Sequence, residues 1–262
     1  MEIVEVLPRG CQTENGQGET RRMKRVAFVR GIVSAKLQGS ESGQQRMSGI
    51  VSDRLLNVLR AATCLLIAKV TVVVMTNYPD YLPPDFSSDF LLGREDYFFG
   101  SYQWAFYSHI AAGPVTLVLG MILLSDRFRR RFPQWHRRLG KLQVACVLLL
   151  LTPSGLWMAF HAQTGPVAGV GFAALALMTG LSAIRGWRSA VQKRFVSHRR
   201  WMWRCYLLLC SAVVLRLTAG LFTVTGVEAE WTYALTAWTS WLVPLAIFEG
   251  INRVPARKGS FA

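Results

Sequence analysis

The chain has only four histidines, His109, His136, His161 and His198, and each falls within or at the end of an apolar run. Imidazole can ligate a metal or haem iron, or pass a proton near neutral pH. Two of the four open a repeated phrase. Arg131-Phe132, three residues and His136-Arg137-Arg138 are echoed by Arg194-Phe195, two residues and His198-Arg199-Arg200. Arginine forks suit carboxylates and phosphates, so the two HRR turns are candidate anion contacts. Two further cations, Lys69 and Arg216, lie deep in apolar sequence. A centrally placed cation costs about 2.5–3.5 kcal/mol on insertion scales and needs a partner, water or a ligand.

The elements that must carry these residues follow from composition. Of 262 residues, 52% are hydrophobic and 17% charged, with nine tryptophans. Ordinary globular chains hold roughly 25% charge, so the deficit argues against a disordered chain and against most soluble enzymes. A helix crosses the hydrocarbon core in about 20 apolar residues. Six segments qualify, at about 55–76, 102–124, 139–160, 165–184, 201–224 and 231–248. Few of them carry the polar stripe of a soluble amphipathic helix. The expected fold is all-α: a polytopic six-helix membrane bundle over 51–252. A polar, disordered tail (1–50) precedes it and a basic tail (253–262) follows. The first helix is the least regular, because Arg60 and Lys69 interrupt it.

The 30 Lys and Arg exceed the 15 Asp and Glu, a net charge of +15 that by itself also fits a nucleic-acid binder. Its distribution points elsewhere. Segment 77–101 holds Asp80, Asp85, Asp89, Glu95 and Asp96 against Arg94 alone, and the turn after helix five holds Glu228 and Glu230. Arg127, Arg129, Arg130, Arg131, Arg137, Arg138 and Lys141 join helices two and three. Arg185, Arg188, Lys193, Arg194, Arg199 and Arg200 join helices four and five. With six helices all the basic loops share one face, which the positive-inside rule makes cytoplasmic. Both termini are then cytoplasmic, in a bacterial cell membrane, and no nucleic-acid partner is implied. The partners are the bilayer and anionic headgroups at the cytoplasmic face. Within the tail, 23–36 reads as a basic amphipathic stretch able to rest on anionic lipid, and Met23 and Met47 are alternative start sites.

This order puts His136 with His198 on the inner level and His109 with His161 on the outer. At 1.5 Å per residue, His136 and His161 are ~38 Å apart along helix three. Cations at a helix N-terminus oppose the macrodipole, so the two HRR turns suggest a bound anion. Lipid phosphate is the simpler candidate, with Arg137, Arg138, Arg199 and Arg200 as headgroup contacts beside Trp135, Trp187, Trp201 and Trp203. Haem b propionates are the sharper one, with His136 or His198 on the iron. Arg216 lies near the level of His109 in the outer half, where Lys69 and Tyr107 complete an expected cavity. The simpler reading pairs Arg216 with an acid of segment 77–101.

Remaining features concern packing. Helix four is rich in small residues, including Gly165, Gly169, Gly171 and Gly180, so it can approach its neighbours closely. Pro114, Pro153 and Pro244 interrupt helices two, three and six, and Pro114 frees the carbonyl of Ile110. Glu249 is expected to pair with Arg253, one turn away. The five cysteines imply neither a disulfide framework nor a metal site, and no metal-binding, dinucleotide or P-loop motif is present.

The succession FYSHI, HRRLG, Gly155, Trp187, HRRWM and LRL at 215–217 resembles the bacterial predicted membrane proteins catalogued as domain of unknown function 2306, over about residues 100–225. The resemblance implies that His109, His136, Gly140, His198, Arg199, Trp201, Met202 and Arg216 are signature positions. It implies a fold and a location, and no reaction. Three functions stay open: a redox protein holding haem b or quinone at His109, His136, His198 and Arg216; a transporter or binding protein for a small anion or lipid; and a non-catalytic scaffold or assembly factor.

Overall fold

The computed structural model describes residues 54–55, 57–88, 90–162, 165–227 and 229–253. The expectations for 1–50 and for residues beyond 253 fall outside the described residues. The chain divides into two compact units, Met1–Ala62 and Thr63–Ala262. The described residues of the first are helical; all packing below belongs to the second.

Six helices are long and apolar enough to cross a membrane: α1 (Asn57–Asp80), α2 (Glu95–Leu124), α3 (Pro133–Ala159), α4 (Pro166–Val191), α5 (Phe195–Thr225) and α6 (Trp231–Arg253). Helices α2 to α5 form a closed ring, in which α3 and α5 each pack on both α2 and α4. Helix α6 covers α4 and α5. From Ile67 and Val70, α1 packs on Leu117 of α2 and on Tyr206 and Val213 of α5. At the ring's centre Ala112, Val147, Leu151, Ala183 and Cys205 meet, one or two from each helix. One end of the bundle carries the acidic connections, the other the arginine-rich ones; they are called the acidic and basic ends below.

Small residues let the ring close, as the composition of α4 led us to expect. A Cβ on Gly169 would stand 2.8 Å from the carbonyl oxygen of Ala159, and one on Gly180 would stand 3.0 Å from the Thr152 side chain. On α2, a Cβ at Gly120 would stand 2.5 Å from the ring of Tyr206. These glycines set the helix separations rather than any turn.

The helices run further than their apolar cores at the basic end. Helix α3 begins at Pro133 rather than about 139, α5 at Phe195 rather than about 201, and α4 continues to Val191. Lysine and arginine are good helix formers, so the backbone ladder continues into the interface where hydropathy stops. Both HRR turns are therefore helical, not loops. Ser125 caps a further short helix, Asp126–Arg131, by accepting from the Phe128 N–H. Its acid sits at the start and its arginines at the end, the arrangement the helix dipole favours.

Three irregularities break the spans. Phe99 and Gly100 depart from helical angles, with Gly100 at φ 131°, so α2 is regular only over Gln103–Leu124. A π-bulge, Val147–Leu151, precedes Pro153 in α3, widening the turn against which the proline ring would clash. Helix α5 breaks at Cys210 into Phe195–Leu209 and Ser211–Thr225, and the second half packs chiefly on α6.

Candidate functional site

At the acidic end, segment 78–107 folds over the bundle as an aromatic cap. Tyr81, Leu91, Phe98, Tyr102 and Phe106 form its buried core, with Phe90 stacked on Phe106 at 5.3 Å. Arg94, only 3% exposed, sits inside it. Its Nε donates to the Phe90 carbonyl at 2.7 Å, and one terminal nitrogen donates to Tyr97, Tyr102 and the His161 carbonyl at 3.0–3.2 Å. The His161 ring stacks on Tyr97 at 4.9 Å and meets Tyr102 edge-on at 5.2 Å. Thus Arg94 and His161 pin the cap to the end of α3. Sequence reading gave Arg94 no role, because its partners are neutral oxygens brought in by folding.

His109 lies one level below the cap. Its Nδ1 is 3.1 Å from Ser154 Oγ on α3, and Gly155 makes room for the ring: a Cβ there would stand 3.5 Å from Cε1. Tyr107 donates instead to the Tyr81 carbonyl at 2.8 Å, within the cap. The Ile110 carbonyl freed by Pro114 does find a partner, the hydroxyl of Tyr78 from α1. The expected cavity of His109, Tyr107, Lys69 and Arg216 is thereby divided, with only the two cations sharing a space.

That space is a cleft of about 280 Å³ between α1 and the second half of α5, lined by Lys69, Val70, Val73, Val74, Arg216 and Leu217. Both cations are exposed. Neither makes an ion pair with an acid among the described residues, including those of segment 77–101 that were expected to neutralise Arg216. Of the four residues the sequence placed in one outer cavity, the structure keeps Lys69 and Arg216 on a common cleft; such a lining is chemically suited to an anionic group.

At the basic end both HRR turns adjoin the short helix Asp126–Arg131. His198 Nδ1 is 2.8 Å from the Gly186 carbonyl on α4, whereas His136 Nδ1 is buried without a hydrogen-bond partner. Arg199 Nη2 donates to Asp126 at 2.9 Å, and Arg129 donates to the other oxygen of the same carboxylate. The Arg129 hydrogen bond, reinforced by Arg199, holds the Asp126 carboxyl below its ordinary value of 3.8. Arg137, Arg138 and Arg200 are exposed, with Arg138 5.8 Å over the Trp135 ring.

Next to the HRR turns, Trp201 lies between Arg185 at 5.0 Å and Arg204 at 4.4 Å. Arg204 is also paired through two nitrogens with Glu249 of α6, at 2.5 and 3.0 Å. This corrects the expected Glu249 to Arg253 pair. The bidentate fork is half-buried on the facing helix, while Arg253 ends the described helix and offers a contact open to water. Deeper in the ring, Gln143 is 2% exposed; its Nε2 donates to the Thr116 carbonyl at 3.0 Å, but its Oε1 has no partner.

Among the described residues no group of three or more His, Cys, Asp or Glu could hold a metal ion. The described cysteines are free and separate, and Cys205 packs at the ring's centre. No curated protein and no solved structure matches the chain. One family model does, that of a predicted membrane protein family, DUF2306, over residues 106–251. The matched stretch runs from α2 into α6 and carries all four histidines, both HRR turns and Arg216; Lys69 precedes it. The match extends over more than half the sequence and agrees with the six long apolar helices: the chain belongs to the DUF2306 family of predicted membrane proteins.

Proposed function

We propose that this membrane protein binds an anionic group between Lys69 and Arg216. The observation that carries this reading is the cleft between α1 and α5, where two cations converge on aliphatic walls and no described acid pairs with either. Cations in such surroundings are costly unless compensated, and an anion with phosphate- or carboxylate-like oxygens supplies the compensation. The separation of charge between the two ends supports a bacterial cytoplasmic membrane placement with basic loops and both termini inside. In that orientation the cleft belongs to the outer half of the bilayer. The exposed Arg137, Arg138 and Arg200 would meet anionic headgroups of the inner leaflet.

Thermal unfolding of the purified chain tests the reading. A phosphate-bearing ligand at about 100 times its Kd adds about 2.7 kcal/mol, which is several degrees for a domain of this size. Arg216→Leu should abolish that response and Arg216→Lys retain part of it. An Arg216→Leu protein that is more stable and responds as before would mark Arg216 as a burden on the fold and overturn the proposal.

One observation favours a second reading, a haem b or quinone held at the basic end: the Nδ1 of His136 is buried without a hydrogen-bond partner in the first turn of α3. Oxidised and reduced absorption spectra of gently solubilised protein from haem-replete cells test it. A Soret band lost in His136→Gln supports the haem form; its absence contradicts it.

A further inference from the structure

Resting on the anion reading above, we infer that the anion is the phosphate of a membrane lipid, taken sideways from the leaflet at the acidic end, with an acyl chain lying along Val70, Val73, Val74 and Leu217. Four features support a lipid over a free ion.

First, the lining offers no hydroxyl or amide side chain beyond the two cations. A free phosphate leaving water must replace most of its hydration, and two cations on aliphatic walls do this poorly. A lipid phosphate keeps one side in the hydrated headgroup layer while its chains remain in apolar contact. Second, the hydroxyls that flank the lining residues in sequence are already used: Thr71 donates to the Ile67 carbonyl at 2.7 Å, and Thr218 to the Val214 and Leu215 carbonyls at 2.9 and 3.0 Å. Third, the walls face the bilayer. Val73 is 54% and Leu217 42% exposed, and both cations are exposed, so the cleft opens on the lateral surface rather than into the ring.

The fourth feature is depth. Arg216 is nine residues before the end of α5 at Thr225, or ~14 Å along the helix axis. Lys69 is seven residues before Thr76, ~10 Å by the same rise. Those Cα positions lie below the headgroups, at a depth from which long cationic side chains reach toward the interface. A phosphate between the two charges would sit just beneath the headgroup layer, with its chains beside the valines. The second half of α5 packs chiefly on α6, and its Arg216 and Leu217 are exposed.

Native mass spectrometry of the full chain, loaded with phosphatidylglycerol or phosphatidylcholine in mild detergent, separates the sources. We expect phosphatidylglycerol to be retained over phosphatidylcholine, to survive an excess of inorganic phosphate, and to bind roughly tenfold or more weakly to Lys69→Leu/Arg216→Leu. Val73→Trp keeps both cations but fills the aliphatic wall; it should lose the lipid too. Inorganic phosphate that displaces the lipid, and still stabilises Val73→Trp, would overturn the lipid assignment and leave the anion reading standing. If neither lipid nor inorganic phosphate distinguishes wild type from the double variant, both fall. Leucine is well tolerated on a lipid-facing helix, so the double leucine variant should fold.

Discussion

A cation in a bilayer needs compensation, and this chain provides it in three ways. Arg204 has a carboxylate, Glu249, supplied by another helix. Arg94 has none, but four neutral oxygens surround it. Lys69 and Arg216 have neither among the described residues, and that difference singles them out. Arg94→Ala should lower cap stability by on the order of 3 kcal/mol, since hydrogen bonds to a charged group are worth about 1.5–3 kcal/mol each and part is regained by rehydration. Differential scanning of the variant checks this; an unchanged midpoint would remove Arg94 as the pin. For Asp126 the sign is fixed by its lowered pKa. The tie to Arg129 and Arg199 is complete above the ordinary carboxylate value and is lost as pH falls through the depressed one. Asp126→Asn should abolish that dependence and speed tryptic cleavage within Asp126–Arg131 at neutral pH; equal cleavage rates would contradict the tie. Sequence marked His109, His136, His198 and Arg216 because ionisable groups stand out in apolar runs. It missed Arg204 with Glu249, and Gln143 with Thr116, because those pairs join residues on different helices and depend on how the helices meet.

Helices were legible because hydropathy reports burial in lipid directly, and their number followed from length alone. Their ends were less so. The early starts of α3 and α5 place His136 and His198 inside the first turns of helices, where cationic residues keep the ladder going without adding hydropathy. The break at Cys210 left no mark in the sequence, since neither proline nor glycine stands there; the π-bulge before Pro153 did. Close helix approach gives a test with an internal control. Gly120→Ala would force Cβ to 2.5 Å from the Tyr206 ring and should cost about 1–3 kcal/mol, whereas Gly113 has nothing within 4 Å. Gly113→Ala should be neutral or stabilising by up to about 1 kcal/mol. Equal effects on thermal unfolding would mean that α2 and α5 do not approach as described.

At the scale of the whole molecule, charge is divided between ends and the ring of α2 to α5 is divided between levels. Histidines occur at both ends, cross-helix ion pairs at the basic end, an aromatic cap at the acidic end, and on the flank Lys69 and Arg216, which pair with no acid among the described residues. The excess of basic residues is gathered at one end of the bundle, which supports the proposed orientation. Thiol labelling from outside intact cells should therefore reach a cysteine placed at Leu92, in the acidic connection, and miss one at Lys193, between α4 and α5. The reverse pattern would invert the molecule and put the cleft in the inner leaflet.

A lipid phosphate shared by Lys69 and Arg216 would be visible by electron cryo-microscopy of the full chain in nanodiscs containing phosphatidylglycerol. We expect phosphate density within hydrogen-bonding distance of both side chains, with acyl density along Val70 and Val73. A protein carboxylate in that position, or lipid density that avoids the cleft, would contradict it.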